Sequence, residues 1–107
     1  MELDFFTACE NGDLSKVKEL INNANIDINW QTKWGSTFLS VACESEHYEI
    51  IKLLLTDDRI DVTKMNCENE TPLSTACYRG RIKTIKILIA SGRNFDGKIY
   101  QKSTRNN

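Results

Sequence analysis

Apolar residues fall three and four apart in three stretches of this chain. They are Leu14, Val17 and Ile21, then Tyr48, Ile51 and Leu55, then Ile82, Ile85 and Ile89. That spacing predicts three amphipathic helices. Ahead of each stretch lies a shorter apolar run holding an Ala-Cys pair: Ala8-Cys9, Ala42-Cys43 and Ala76-Cys77, recurring at a period of 34 residues. These runs predict a second set of short helices, in which the small pair permits close packing. Between the blocks, Ile26-Asp27-Ile28-Asn29 and Ile60-Asp61-Val62-Thr63 read as short extended pieces followed by turns. The whole pattern is one helix–turn–helix unit repeated three times.

The register extends beyond the cysteines. Val17, Ile51 and Ile85 align, as do Lys18, Lys52 and Lys86, and Leu20, Leu54 and Leu88. Thr37 and Thr71 are predicted N-caps, and Pro72 follows at the first helical position, where its missing N–H has no cost. Gly12 and Gly80 supply the left-handed residue that ends a helix. Glu46 holds that place in the middle unit, a departure costing about 1 kcal/mol if the geometry is kept.

Thr71-Pro72-Leu73-Ser74-Thr75-Ala76 resembles the T-P-L-H-x-A motif of the ankyrin repeat, with Ser74 where that family has His. Thr37-Phe38-Leu39-Ser40-Val41-Ala42 matches it more loosely. Gly35 and Asn69 take the turn position that needs positive φ, and Asp27-Ile28-Asn29 and Asp61-Val62-Thr63 resemble the family's D-V-N. The resemblance implies an all-α repeat solenoid, a stack of helix–turn–helix units joined by β-hairpin turns. It implies a single domain over 1–107 with repeats at about 1–31, 32–65 and 66–98, and with 99–107 as an incomplete fourth hairpin or tail. It also implies that loss of the motif His removes a hydrogen-bonding cap.

The ends of a repeat array need polar outer faces. Glu2, Asp4 and Glu10 suit the first unit. The last reads as uncapped, with Ile85, Ile87 and Leu88 expected to be partly exposed and to favour self-association. Residues 96–104 resemble the hairpin that opens a fourth unit. The chain therefore reads as a fragment of a longer array, or as an array whose tail folds back as a cap.

Composition is that of an ordinary globular protein, 40% hydrophobic and 27% charged. No apolar run approaches the roughly 18 residues of a membrane span, and the acidic N-terminus lacks the layout of a signal peptide. A reducing cytoplasmic or nuclear compartment, with four free thiols, is the expectation. Cys9, Cys43 and Cys77 are expected to be small buried residues, and Cys67, in a hairpin turn, exposed. With no C-x-x-C and His47 as the only histidine, the sequence offers neither a metal site nor a cofactor motif. His47 is expected to cap the helix that follows it. Neither a nucleophile–base arrangement nor a carboxylate pair is recognisable, so no enzyme is expected.

Charge is distributed unevenly. Residues 1–60 carry 5 Lys/Arg against 11 Asp/Glu, and residues 61–107 carry 9 against 4. The basic half (Arg79, Arg81, Lys83, Lys86, Arg93, Lys98, Lys102 and Arg105, with Tyr78 and Tyr100) raises the question of nucleic acid. The acidic other half and a pI near 5.8 argue against it.

Ankyrin repeats generally bind proteins through hairpin tips and a concave face, and the resemblance carries that expectation here. It places partner contacts at Glu10 and Asn11 in the first unit and at Lys33, Trp34, Ser36, Glu44 and Ser45 in the second. In the third it places them at Cys67, Glu68, Glu70, Tyr78 and Arg79. Glu10, Glu44, Glu46, Glu68 and Glu70 are expected to line an acidic concave side that suits a basic partner. Trp34 precedes the turn glycine at a tip, whereas Trp30, at the hairpin base, is expected to cover the neighbouring hairpin or the Lys33 stem. A purely architectural spacer within a larger protein is the alternative reading.

Overall fold

A computed structural model describes residues 1–95. Its six helices are α1 (Glu2–Asn11), α2 (Leu14–Ile21), α3 (Phe38–Glu44), α4 (Tyr48–Leu55), α5 (Pro72–Tyr78) and α6 (Ile82–Ala90). They pair as α1–α2, α3–α4 and α5–α6. The first helices pack in one row, α1 on α3 on α5, and the second helices in another, α2 on α4 on α6. The fold is an all-α repeat solenoid. The segments expected to be extended are turns: among the described residues no strand forms, and Trp30 N–H closes on Asp27 carbonyl at 3.0 Å.

The caps explain where the first helices start. Thr37 accepts from Ser40 N–H at 3.0 Å, and the Ser40 hydroxyl accepts in return from Thr37 N–H at 2.7 Å. Thr71 and Ser74 repeat the exchange at 3.1 and 2.8 Å. Thr37 and Thr71 are the N-caps expected, and Ser40 and Ser74 supply the hydrogen bond expected to be lost with the motif His. A serine three residues after the threonine completes the reciprocal pair by itself.

Second helices start differently. Asp13 caps α2 through Lys16 N–H at 3.1 Å, but His47, at the same place before α4, makes no cap bond with its side chain. Its Nε2–H instead donates to the Glu10 carbonyl of the preceding unit at 2.9 Å. The ring lies over Gly12, where a Cβ would sit 2.7 Å from it. His47 is therefore a link between units and not the expected helix cap.

The core lies mostly between the first two units. Phe5 and Phe38 stack with centroids 4.3 Å apart, and Leu39, Ile50, Ile51 and Leu54 complete it, all fully buried. The third unit adds little more than Ala76, Thr84, Leu88 and Phe95. Leu88 is fully buried, against expectation, whereas Ile82 and Ile89 of the predicted apolar face are 61% and 64% exposed. The aligned Ile21 and Leu55 are buried, on helices that have a following helix packed against them, and Tyr48, aligned with Ile82, has the Lys83 ammonium 4.5 Å from its ring centroid. No described unit follows α6. The same reason leaves Cys77 exposed while Cys9 and Cys43 are buried.

Long side chains tie successive units together. Asn29 donates to Arg59 carbonyl at 2.9 Å and accepts from Asp61 N–H at 2.7 Å. Gln31 donates to both Gly35 and Met65 carbonyls at 3.0 Å. Arg59 reaches Ile21 carbonyl at 2.8 Å, and Arg93 reaches Leu55 and Asp57 carbonyls at 2.9 and 3.4 Å and also bonds Ile60 carbonyl.

Candidate protein-binding groove

The first helices and the hairpins leading into them enclose a groove of about 350 Å³. Its apolar wall is Phe6, Val41, Pro72 and Ala76, with Ser36, Ser40, Ser45 and Thr75 supplying hydroxyls. Glu10, Glu44 and Glu70 bring negative charge, and Lys64, Arg79 and Arg81 positive charge. The hairpin edge is held in place by close backbone approach. Cys67 N–H donates to Trp34 carbonyl at 2.9 Å, and a Cβ on Gly35 would stand 2.6 Å from Asn66 Cα. Gly35, at φ 86°, has neither the room nor the conformation for a side chain.

The expected contact residues divide among three places. Glu10, Ser36, Glu44, Ser45, Glu70 and Arg79 line the groove. Lys33, Trp34, Cys67 and Glu68 stand exposed at the hairpins, and Tyr78, the last residue of α5, is 85% exposed. Asn11 borders a separate recess with Asp4, Thr7, Asp13 and Lys16. The sequence reading missed Phe6, Lys64 and Arg81. Lys64 falls one period after Trp30 and Arg81 one after His47, so the repeat marked both places, although at each the side chain changes type between units.

The acidic lining expected of this face is largely neutralised. Arg79 Nε lies 3.1 Å from Glu44 Oε2, and Arg81 Nη1 lies 2.8 Å from Glu46 Oε2. Each pair joins a third-unit cation to a second-unit carboxylate. Glu70 Oε1 accepts from Asn66 Nδ2 at 3.0 Å. Glu46 and Glu68 lie outside the groove lining.

Both tryptophans are placed by rings and charge. Trp30 is half-buried, edge-on to Phe6 at 5.9 Å and stacked near Phe38 at 6.0 Å. Trp34 is 63% exposed, and the Lys33 ammonium lies 5.0 Å from its ring centroid. The lysine therefore pairs with Trp34 and not with Trp30, because Trp30 turns inward to the first helices. Burial pushes the Cys9 and Cys43 thiols up to about 12, with the Glu44 charge adding to the effect at Cys43. Among the described residues no group of three or more His, Cys, Asp or Glu is placed to hold a metal ion. No described helix is long and apolar enough to cross a membrane.

The family model described as ankyrin repeats in three copies matches residues 5–99. The chain belongs to the ankyrin-repeat family. Ankyrin repeats are protein–protein interaction modules and are typically not enzymes. A solved structure of the Bd0816 predatory endopeptidase from Bdellovibrio bacteriovorus in complex with immunity protein Bd3460 is similar. It shares 33% identity at a TM-score of 0.75, covering 87% of this chain and 48% of that one. The ankyrin chain thus spans about half the length of the chain it resembles. No curated protein matches the sequence. With 115 matching chains among solved structures, the likeness identifies the fold and leaves the partner to be argued from the groove.

Proposed function

We propose that this ankyrin-repeat chain binds a protein partner along the groove, with Trp34 at the hairpin edge as an aromatic anchor. The observation that carries this reading is an exposed Trp beside a groove lined from three successive units. Burying an aromatic ring supplies affinity, and flanking polar groups supply orientation. Capped helices and inter-unit hydrogen bonds preform the surface, so little ordering entropy opposes binding. That the similar solved structure is itself a protein complex lends further support.

The test is a pulldown with the full chain as bait, alongside Trp34→Ala and Arg79→Glu. A partner retained by the unaltered chain and lost by both variants, at unchanged thermal midpoints, is the expected result. A spacer would retain nothing specifically, and that outcome would overturn the proposal.

A further inference from the structure

Charge along the groove changes sign. Up to Ser45 the lining contributes only Glu10 and Glu44 as charged groups; from Lys64 onward it contributes Lys64, Arg79 and Arg81 against Glu70 alone. Within that set, Arg79 is engaged by Glu44 and Arg81 by Glu46. The Glu70 carboxylate takes hydrogen bonds from Asn66 and Thr75. Glu10 and Lys64 are in neither position. Among the described residues neither forms an ion pair, although both line the groove. One belongs to the first unit's helix end and the other to the segment that enters the third unit, with Phe6, Val41 and Pro72 contributing apolar surface to the same groove.

We infer that the groove takes an extended peptide segment of opposed charge. A Lys or Arg side chain sits at Glu10, an Asp or Glu side chain sits at Lys64, and small apolar residues lie between. This rests on the protein-binding reading and specifies its partner. The pattern follows from pairing: internal partners already engage Glu44, Glu70, Arg79 and Arg81 at close range. Among the described residues Glu10 has no ion pair and Lys64 acts on Asp61 only from beyond ion-pair distance, so a ligand gains most at Glu10 and Lys64. The long-range field points the same way, since residues 1–60 carry 5 Lys/Arg against 11 Asp/Glu and the described residues 61–95 carry 6 against 3. Such a field orients an approaching bipolar segment before contact. A polyanion meets repulsion at the Glu10 and Glu44 half, which disfavours nucleic acid as the occupant.

A phage library of short random peptides, panned on the full chain and on its Glu10→Lys and Lys64→Glu variants, tests this. The unaltered chain should enrich sequences with a basic residue toward one end and an acidic one toward the other. Glu10→Lys should shift enrichment to peptides acidic at both ends, and Lys64→Glu to peptides basic at both. A synthetic peptide of the enriched pattern should lose about tenfold in affinity on either single reversal. The double reversal should recover it, because the peptide can then bind the other way round. Circular dichroism of each variant confirms that the fold persists. The inference is overturned if all three baits enrich one pattern, if no peptide is enriched, or if a single-stranded oligonucleotide binds more tightly than any peptide. Should enriched peptides lack opposed charge yet compete with the partner from the pulldown, the protein-binding reading stands and only the charge pattern fails.

Discussion

Trp30 lies against Phe6 and Phe38, whereas Trp34 offers most of its ring to solvent beside the Lys33 ammonium. Trp30→Ala should therefore lower stability by about 1–3 kcal/mol through lost burial, measured by urea unfolding. Trp34→Ala should leave the urea midpoint nearly unchanged and weaken partner binding by about 2 kcal/mol, the scale of an aromatic interface anchor. Loss of stability in Trp34→Ala with binding intact would remove its anchoring role. Thr84 gives a second expectation at this scale. It is 1% exposed, and its Oγ1 is buried with no hydrogen-bond partner among the described residues. Thr84→Val should raise stability by about 1 kcal/mol, because it removes an unsatisfied polar atom while keeping the branched shape. A lower urea midpoint would mean that the hydroxyl is satisfied in solution. The place of Trp34 was legible from Gly35 beside it, since the turn fixes the neighbouring residue at a tip. Burial of Thr84 was not legible. The apolar template favoured Ile82 and Ile89, and a single chain does not state which face of its last helix has a neighbour.

The helices themselves were readable because their start signals are local. A threonine, a proline and a left-handed glycine or its substitute fix the boundaries without reference to the rest of the chain. Glu46 and Asn69 do take positive φ, at 59° and 62°. What holds one helix pair to the next is not local, and it was missed. Arg93 bridges carbonyls at the end of α4 and just beyond it, from more than thirty positions along the chain. Arg93→Ala should cost about 2 kcal/mol by leaving those carbonyls without a charged donor. Arg93→Lys should restore little, since a point-like ammonium cannot span the forked geometry. Equal stability of the Lys variant and the unaltered chain would show that charge alone suffices. Near the same helix end, the hydrogen bond from the Arg59 side chain holds the Asp57 carboxyl below its ordinary 3.8. A carboxyl depressed in the folded state contributes stability above its unfolded value and loses it as pH falls through the folded one. Asp57→Asn should therefore be less stable than the unaltered chain at neutral pH. The difference should begin to narrow near about pH 4 and close only below the depressed folded value, as read from thermal midpoints across an acid series. A gap that persists in acid would assign the effect of Asp57 to something other than its charge.

At the scale of the molecule, the electrical asymmetry was plain in the sequence, but its internal settlement was not. Pairing of Arg79 with Glu44 and Arg81 with Glu46 requires the stacking of one unit on the next, which residue counts do not contain. The stack also has a strong end and a weak one. α3 and α4 bury Phe38, Leu39, Ile50, Ile51 and Leu54, whereas α5 and α6 bury Pro72, Ala76, Thr84 and Leu88. In a solenoid each unit is stabilised by its neighbours alone, so local opening should begin at the weak end. Native-state hydrogen exchange should show amides of α5 and α6 exchanging faster than those of α3 and α4. Uniform protection along the chain would indicate that it opens as one body. The thin core of the third unit has a further meaning for the groove. Arg79 and Arg81 are carried on the part that opens first, and Glu10 and Glu44 on the part that stays closed. A ligand reaching from Glu10 to Lys64 would act as a splint, slowing amide exchange in α5, which lines the groove, and also in α6, which lies beyond its contacts.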